Sequence, residues 1–110
     1  MNDQDRHDVL ARLTPAAAVE TDLLVVDNTA TVKLEGLTVC NLSAAPTSFR
    51  FWIVPLGQVT DDNQALWYDL PIDGHDTFMA TLTVTLRPSD VIRVYATLAT
   101  LTFVLFGTKT

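Results

Sequence analysis

The chain has 110 residues, of which 48% are hydrophobic and 18% are charged. This length is that of a single domain with a core of its own, and the composition is that of a globular protein with few charges. The formal net charge is −6, and the seven Lys and Arg residues are scattered along the chain. A nucleic-acid partner is not expected, because phosphate binding needs clustered basic side chains.

Neither export nor membrane insertion is predicted. The first residues, MNDQDRHDVLARL, are acidic and unlike a signal peptide, and no apolar run approaches the roughly 20 residues of a membrane-spanning helix. The single cysteine, Cys40, excludes an intrachain disulfide, and its apolar surroundings, LTVCN, predict a buried thiol. We therefore expect a soluble protein made in the cytoplasm.

Residues 3–13 are the only segment with a helical pattern. Acidic residues fill its first turns, Val9, Leu10 and Leu13 form a short apolar stripe, and Pro15 ends the run. A helix of about eleven residues is marginal alone in water, so it must dock on its own domain or on a neighbouring chain. Residues 1–19 are therefore predicted to be an N-terminal arm, a short helix plus linker, beside a β-domain at residues 20–110.

From residue 20 onward the pattern is that of β-strands. Eight short segments rich in β-branched and aromatic residues follow one another at spacings of about 8–12 residues, separated by turn signals. Gly36 is predicted to separate two of the strands, and Asp73-Gly74 to form a β-hairpin turn. This spacing predicts an all-β fold, an antiparallel β-sandwich or jelly-roll-like domain of about eight strands.

One long predicted strand, TFMATLTVTL at residues 77–86, interleaves apolar residues with threonines. Its apolar side is expected to face the core. Its other side either meets water, which suits threonine, or lines a subunit contact in which Thr81, Thr83 and Thr85 form hydrogen bonds across strands.

Two further predicted strands, SFRFWIVP and LTFVLFG, are apolar on both sides. A two-layered sandwich covers only one face of each sheet. The second sides of these strands carry Trp52, Val54, Val104 and Phe106, and they need cover from the N-terminal helix, a lid loop or another protein. Left bare, these residues would form a patch of the kind that marks an interaction site. We therefore predict an oligomer.

Few residues suit catalysis or metal binding. His75 lies in DGHD between Asp73 and Asp76, a weak ligand set without a second histidine, and turn geometry explains the same residues. The acidic loop TDDN at residues 60–63 lacks the spaced ligands and closing glutamate of an EF-hand. Motifs for a nucleophile, a metalloprotease or a phosphate-binding loop are missing. We predict no enzymatic activity, no cofactor and no metal.

The aromatic residues Trp67 and Tyr68 leave a second class of function open. Exposed aromatic rings on a β-sandwich can stack on sugars, which would make the chain a carbohydrate- or receptor-binding module. The two residues are adjacent in a predicted strand and so point to opposite faces, and at most one of them can join such a platform. Packing in a core or an interface is the favoured interpretation.

The stretches VCNLSAAPTSFRFWIVPLG, LPIDGHDTF and LRPSDVIRVYAT resemble small structural proteins of tailed bacteriophages and prophages. The similarity lies in Asn41 after a hydrophobic strand, in the run IVP at residues 53–55 with Gly57, and in the run DVI at residues 90–92 that opens the penultimate strand. The sequence departs from the pattern at Ser89, where glycine is usual.

The resemblance covers roughly residues 20–107 and implies a virion component, with no catalytic residues to carry over. We expect a non-enzymatic bacteriophage virion protein made in the bacterial cytoplasm. It would decorate or cement the capsid as a homo-oligomer, preferably a trimer, and bind the major capsid protein or another virion protein. Its arm would clamp a neighbouring subunit through Val9, Leu10 and Leu13. A place in a tail, baseplate or fibre attachment stays open.

Overall fold

Residues 8–55 and 58–110 are described by a computed structural model. Its regular structure in these ranges consists of eight strands and one 3-10 turn at Asp62–Gln64. The strands are β1 (Asp8–Leu13), β2 (Thr21–Val25), β3 (Val32–Asn41), β4 (Thr47–Val54), β5 (Ala65–Ile72), β6 (Thr77–Leu86), β7 (Val91–Ala96) and β8 (Leu101–Lys109). The predicted all-β class is confirmed. The described residues contain no helix that is long and apolar enough to cross a bilayer.

The strands form two four-stranded antiparallel sheets. Sheet A has the order β1-β8-β3-β6, and sheet B has the order β2-β7-β4-β5. The pairing is nested, because the first strand pairs with the last, the second with the seventh, the third with the sixth and the fourth with the fifth. This order results when one long antiparallel hairpin is rolled into two layers, which is the arrangement of a jelly roll.

Aromatic side chains join the two sheets across the core. The ring of Phe49, from sheet B, lies 5.4 Å from that of Phe78 and 5.8 Å from that of Phe103, both in sheet A, measured between centroids. Trp67 of sheet B lies 5.2 Å from Phe78 and 5.4 Å from Phe51. Tilted and edge-on pairs of this kind contribute about 0.5–1.5 kcal/mol each beyond the area they bury. The two sheets therefore pack face to face as a sandwich.

The prediction of an N-terminal helix is wrong over the described residues. Residues 8–13 form β1, which pairs antiparallel with β8, and the start of the predicted helix, residues 3–7, lies outside the described residues. Leu10 and Leu13 pack against the core of their own chain. Docking on β8 gives this segment backbone partners and an apolar surface together, and such contacts outweigh the weak helix propensity of a short segment.

Gly36, predicted to end a strand, lies inside the ten-residue strand β3. The pairing register shifts between Leu34 and Gly36 against both neighbouring strands, so Glu35 lies in a β-bulge. The two strands predicted on either side of Gly36 are therefore one continuous strand. The total is still eight because β1 was not predicted as a strand.

The turn at Asp73 and Gly74 is present, but it does not close a hairpin. The N–H of Asp76 donates to the C=O of Asp73 at 3.2 Å, yet β5 belongs to sheet B and β6 to sheet A. The turn therefore carries the chain from one sheet to the other. Glycine is required at residue 74 because a Cβ there would overlap the carbonyl group of Ala44.

Asn41 links this turn to the loop between β3 and β4. Its Nδ2 donates to the C=O of Ala45 at 2.8 Å and to that of Asp73 at 3.2 Å, and its Oδ1 accepts from the N–H of Ser43 at 3.1 Å. The side chain is buried with both of its polar atoms bonded, as buried amides require. The asparagine quoted in the resemblance thus has a structural role in this chain.

Ser89 adopts a φ of 68°, in the left-handed region that glycine occupies at lower cost. It is also the position at which the resemblance leads us to expect glycine. Ser89→Gly is expected to raise the free energy of unfolding by about 1 kcal/mol, because relief of strain exceeds the entropy that glycine adds to the unfolded chain. Urea denaturation measures the difference. Thr29→Gly, at an exposed turn residue without positive φ, should not stabilise, and an equal gain from both changes would contradict this explanation.

Candidate interaction surface

The side of sheet A that points away from the core is rich in apolar and hydroxyl side chains, and we call it the outer face. Its residues alternate along each strand with those that point into the core. Most of them are half-buried or exposed in the single chain. They are Val9, Arg12, Thr14, Lys33, Glu35, Thr38, Cys40, Thr77, Met79, Thr81, Thr83, Thr85, Thr102, Val104, Phe106 and Thr108.

Phe106 lies near the centre of the outer face. Its register partners are Val9 on β1 and Gly36 on β3. A Cβ at Gly36 would lie 3.9 Å from Cδ2 of Phe106, so the ring borders the position beside the bulge from which no side chain projects. Met79, which is 74% exposed, lies on β6 opposite Thr38 of β3. Phe106, Gly36, Met79 and Thr81 border a partly open recess of about 250 Å³.

The structure brings together most of the residues predicted to form an interface. Val9, Val104, Phe106 and the threonines of β6 share the outer face, where Val104 lies between Arg12 and Thr38 in the strand register. Leu10 and Leu13 do not join them, because they pack against the core. In this structure the predicted clamp of three residues is divided between two sides of the sheet, with only Val9 on the outer face.

Trp52 and Val54, which were predicted to lie in an interface, are covered within the single chain. Each is only 1% exposed within the single chain, although neither belongs to the core between the sheets. The 3-10 turn contacts β4, and Thr60, just before it, accepts a hydrogen bond at 2.6 Å from Nη1 of Arg93, the register partner of Trp52 on β7. The connection between β4 and β5 therefore returns over this side of sheet B.

Further along the outward side of sheet B, charged and aromatic side chains contact one another, while Val25 and Leu66 on the edge strands are exposed. The guanidinium carbon of Arg50 lies 4.2 Å from the ring centroid of Tyr68 and 4.6 Å from that of Tyr95. Its Nε donates to Oδ1 of Asp69 at 2.7 Å, and this hydrogen bond raises the pKa of Arg50. Sheet B thus pairs its outward charged and aromatic groups with one another.

Trp67 and Tyr68 do not form a platform of exposed rings. Trp67 packs between Phe51 and Phe78 in the core region. Tyr68 is exposed, but the guanidinium of Arg50 lies over its ring. As the sequence alternation predicts, the two residues lie on opposite sides of β5. Of these two rings, only that of Tyr68 could stack on a sugar, and Arg50 partly covers it.

The acidic clusters serve turns in the described part of the chain. Oδ1 of Asp61 accepts from the N–H of Asn63 at 3.0 Å, and the N–H of Asp61 donates to Oε1 of Gln64 at 3.0 Å, which completes a capping box. His75 has a φ of 56°, and its N–H donates to the C=O of Ser43 at 2.8 Å. No group of three or more His, Cys, Asp or Glu side chains among the described residues could hold a metal ion.

Two residues of the outer face were missed in the sequence. Cys40, predicted to be buried, is only half-buried on β3. Met79 occupies the same phase of the strand as the threonines of β6, so the period of two that places Thr81 and Thr83 outward also places Met79 there. The alternation in the sequence was therefore sufficient to place Met79 outward, but only the threonines were considered on that side of β6.

Comparison of the chain with protein-family models, curated proteins and solved structures found no match. The functional interpretation therefore rests on the outward sides of sheets A and B. The chain's own loop and ion pairs cover the central strands of sheet B, whose edge strands expose Val25 and Leu66, and sheet A presents Phe106, Val104 and Met79 among threonines.

Proposed function

We propose that this chain is a non-enzymatic structural protein that binds other protein subunits through the outer face of sheet A. The observation that supports this most is the difference between the two sheets. Sheet B buries Trp52 and Val54 on the outward side of its central strand β4, although Val25 and Leu66 are exposed on its edge strands. Sheet A leaves Met79 exposed beside the half-buried Phe106 and Val104, and exposed apolar patches of this kind mark interaction sites.

The setting we propose is the particle of a tailed bacteriophage, where the chain decorates or cements the capsid as a homo-oligomer. The resemblance of residues 20–107 to phage structural proteins supports it. Jelly rolls occur in viral capsid proteins but also in lectins, so the fold supports the setting only by analogy. A tail, baseplate or fibre attachment would use the same surface, and the trimer favoured from the sequence stays a prediction.

The mechanism of a cement protein follows from mass action. A protein that binds only the assembled shell lowers the free energy of that state, by an amount set by its affinity and concentration. Repeated identical sites suit a small subunit with one preferred contact surface, because a shell of symmetric copies presents the same junction many times. The outer face is placed for such a junction because it covers one complete side of sheet A.

Incorporation into particles tests this function. In the host that encodes the chain, a copy with a C-terminal tag is expected to sediment with intact particles through a density gradient. Met79→Glu places a charge on the outer face, and contact with another subunit would bury this carboxylate without a partner. We expect at least about a tenfold loss of incorporated copies, which corresponds to about 1.4 kcal/mol.

Val59→Glu is the matched control. It makes the same chemical change at a residue that is 84% exposed and lies in the connection between β4 and β5, so it should be incorporated like the wild type. Circular dichroism verifies that both variants fold. A wild-type chain that stays at the top of the gradient while particles sediment would refute the virion setting. Equal incorporation of the two variants would refute the outer face as the contact surface.

A further inference from the structure

β6 presents an open edge of sheet A. It pairs with β3 on one side, and no other strand in the described part of the chain pairs on its other side. None of its ten residues, Thr77–Leu86, is charged, and none is proline. The one irregularity is mid-strand, where the register shifts opposite Glu35. A long, uncharged edge is a template for pairing with another strand.

The other three edge strands carry features that hinder such pairing. β1 has six residues, a register shift and Arg12. β2 has five residues, a register shift and Asp22. β5 contains Asp69 in a left-handed conformation and Pro71. Charge, proline and short length are the means by which natural sheets protect their edges, and β6 has none of the three.

The backbone hydrogen bonds show which residues face the open side. The N–H of Asn41 donates to the C=O of Asp76 at 2.9 Å, so Asp76 and the even-numbered residues after it direct their backbone groups to β3. Successive residues of an antiparallel strand alternate in this respect. Thr77, Met79 and Thr81 therefore direct theirs to the open side. In agreement, the N–H of Thr77 bonds Oδ1 of Asp76 at 2.8 Å and not β3.

We propose that β6 pairs antiparallel with β6 of a second copy of this chain, about a two-fold axis near the middle of the strand. The two A sheets then become one eight-stranded sheet. The strand is complementary to a second copy of itself, because a register that keeps the alternation in phase sets the threonines and Met79 against one another on the outer face and apolar residues against apolar residues on the core side.

Charge at the two ends of β6 also selects a second copy in this orientation. Asp76 precedes the strand and Arg87 follows it, and both are exposed. A register that pairs Thr81 with itself sets Asp76 of one copy opposite Leu86 of the other, one residue from Arg87, so opposite charges lie near each other at both ends of the contact. Parallel pairing would set like charges together. The contact is isologous and closes as a dimer, which differs from the trimer favoured from the sequence. It does not rest on the proposed function, because it uses the edge of β6 and not the outer face.

Analytical ultracentrifugation of the full chain over a range of concentrations tests the pairing, and the wild type is expected to be a dimer. Met79→Pro removes an N–H that faces the open edge and leaves the bonds to β3 intact, a position at which edge strands tolerate proline. We expect its dimer dissociation constant to rise at least about tenfold, which corresponds to about 1.4 kcal/mol, with the β-sheet circular dichroism retained. Met79→Ala keeps the N–H and should dimerise like the wild type.

A charge exchange tests the same contact without changing any residue of β6 itself. It can therefore test the proposed pairing even if Met79→Pro does not fold. Asp76→Arg and Arg87→Glu are each expected to weaken the dimer several-fold at low ionic strength, because each sets like charges together at both ends. The double variant should restore it. A monomeric wild type, a dimer indifferent to both sets of changes, or equal dissociation by Met79→Ala and Met79→Pro would overturn the proposal.

Discussion

Phe49→Ala is expected to lower the free energy of unfolding by about 3–5 kcal/mol. Phe49 is fully buried, and its ring contacts Phe78 and Phe103 of the opposite sheet. Removing the ring leaves a cavity at the contact between the sheets, and a sandwich held by strand ladders on both sides cannot easily collapse into it. The loss is a large part of the roughly 5–15 kcal/mol that stabilises a typical domain.

Urea denaturation at low protein concentration measures this effect apart from any association. Met79→Ala, at an exposed side chain of sheet A, is the control and should change stability by no more than about 0.5 kcal/mol. A loss below about 1 kcal/mol for Phe49→Ala would show that the aromatic contacts between the sheets are not the main support of the sandwich.

Gly107→Ala is expected to destabilise the fold by about 1–3 kcal/mol or more, as overpacking does. Gly107 lies on β8 between β1 and β3. A Cβ there would overlap the carbonyl oxygen of Lys33 and lie 2.8 Å from Cδ1 of Leu10. Leu10 can move, but the backbone of β3 can do so only by disturbing its pairing with β8.

Gly36→Ala is the matched control for this prediction. The nearest atom to a Cβ at Gly36 is the carbonyl oxygen of Ala80 at 3.4 Å, an ordinary contact. Alanine also costs less conformational entropy than glycine within a strand, so stability should be unchanged or slightly higher. Thermal unfolding compares the two variants. If both unfolded at the same temperature, the close approach of β3 to Gly107 would not explain why this position has no side chain.

The alternation of apolar and polar residues was enough to predict the all-β class and the inner sides of most strands. In β8, Leu101, Phe103 and Leu105 are buried while Val104 and Phe106 face the other way, as the sequence predicts. A period of two fixes which residues share a side. It does not fix which strand lies next to which, so the nested pairing could not be derived from it.

The errors have one physical cause, which is that contacts distant in the sequence decide local outcomes. Residues 8–13 carry a helical apolar spacing, yet pairing with β8 at the far end of the chain makes them a strand. Trp52 has the phase of an outward residue, yet the connection around Thr60 folds back and buries it. Neither partner can be identified from neighbours in the sequence.

Only part of the candidate surface could be predicted, again because contacts distant in the sequence decide where strands lie. Val104, Phe106, Thr81 and Thr83 were each expected to point away from the core, and they do, because each lies in a strand with clear alternation. That their strands lie in the same sheet, with β3 between them, is a fact of topology. The sequence therefore indicated which residues point outward but not that they share one surface.

The position of β8 has a consequence for biosynthesis. This final strand separates β1 from β3 and supplies two of the three ladders of sheet A. A nascent chain cannot make these pairings until β8 has left the ribosome, so its earlier apolar strands stay incompletely paired until then. Chains dominated by such distant pairings fold slowly and expose their strands meanwhile. A stop codon that removes only the last ten residues should therefore yield insoluble material instead of a slightly shortened protein.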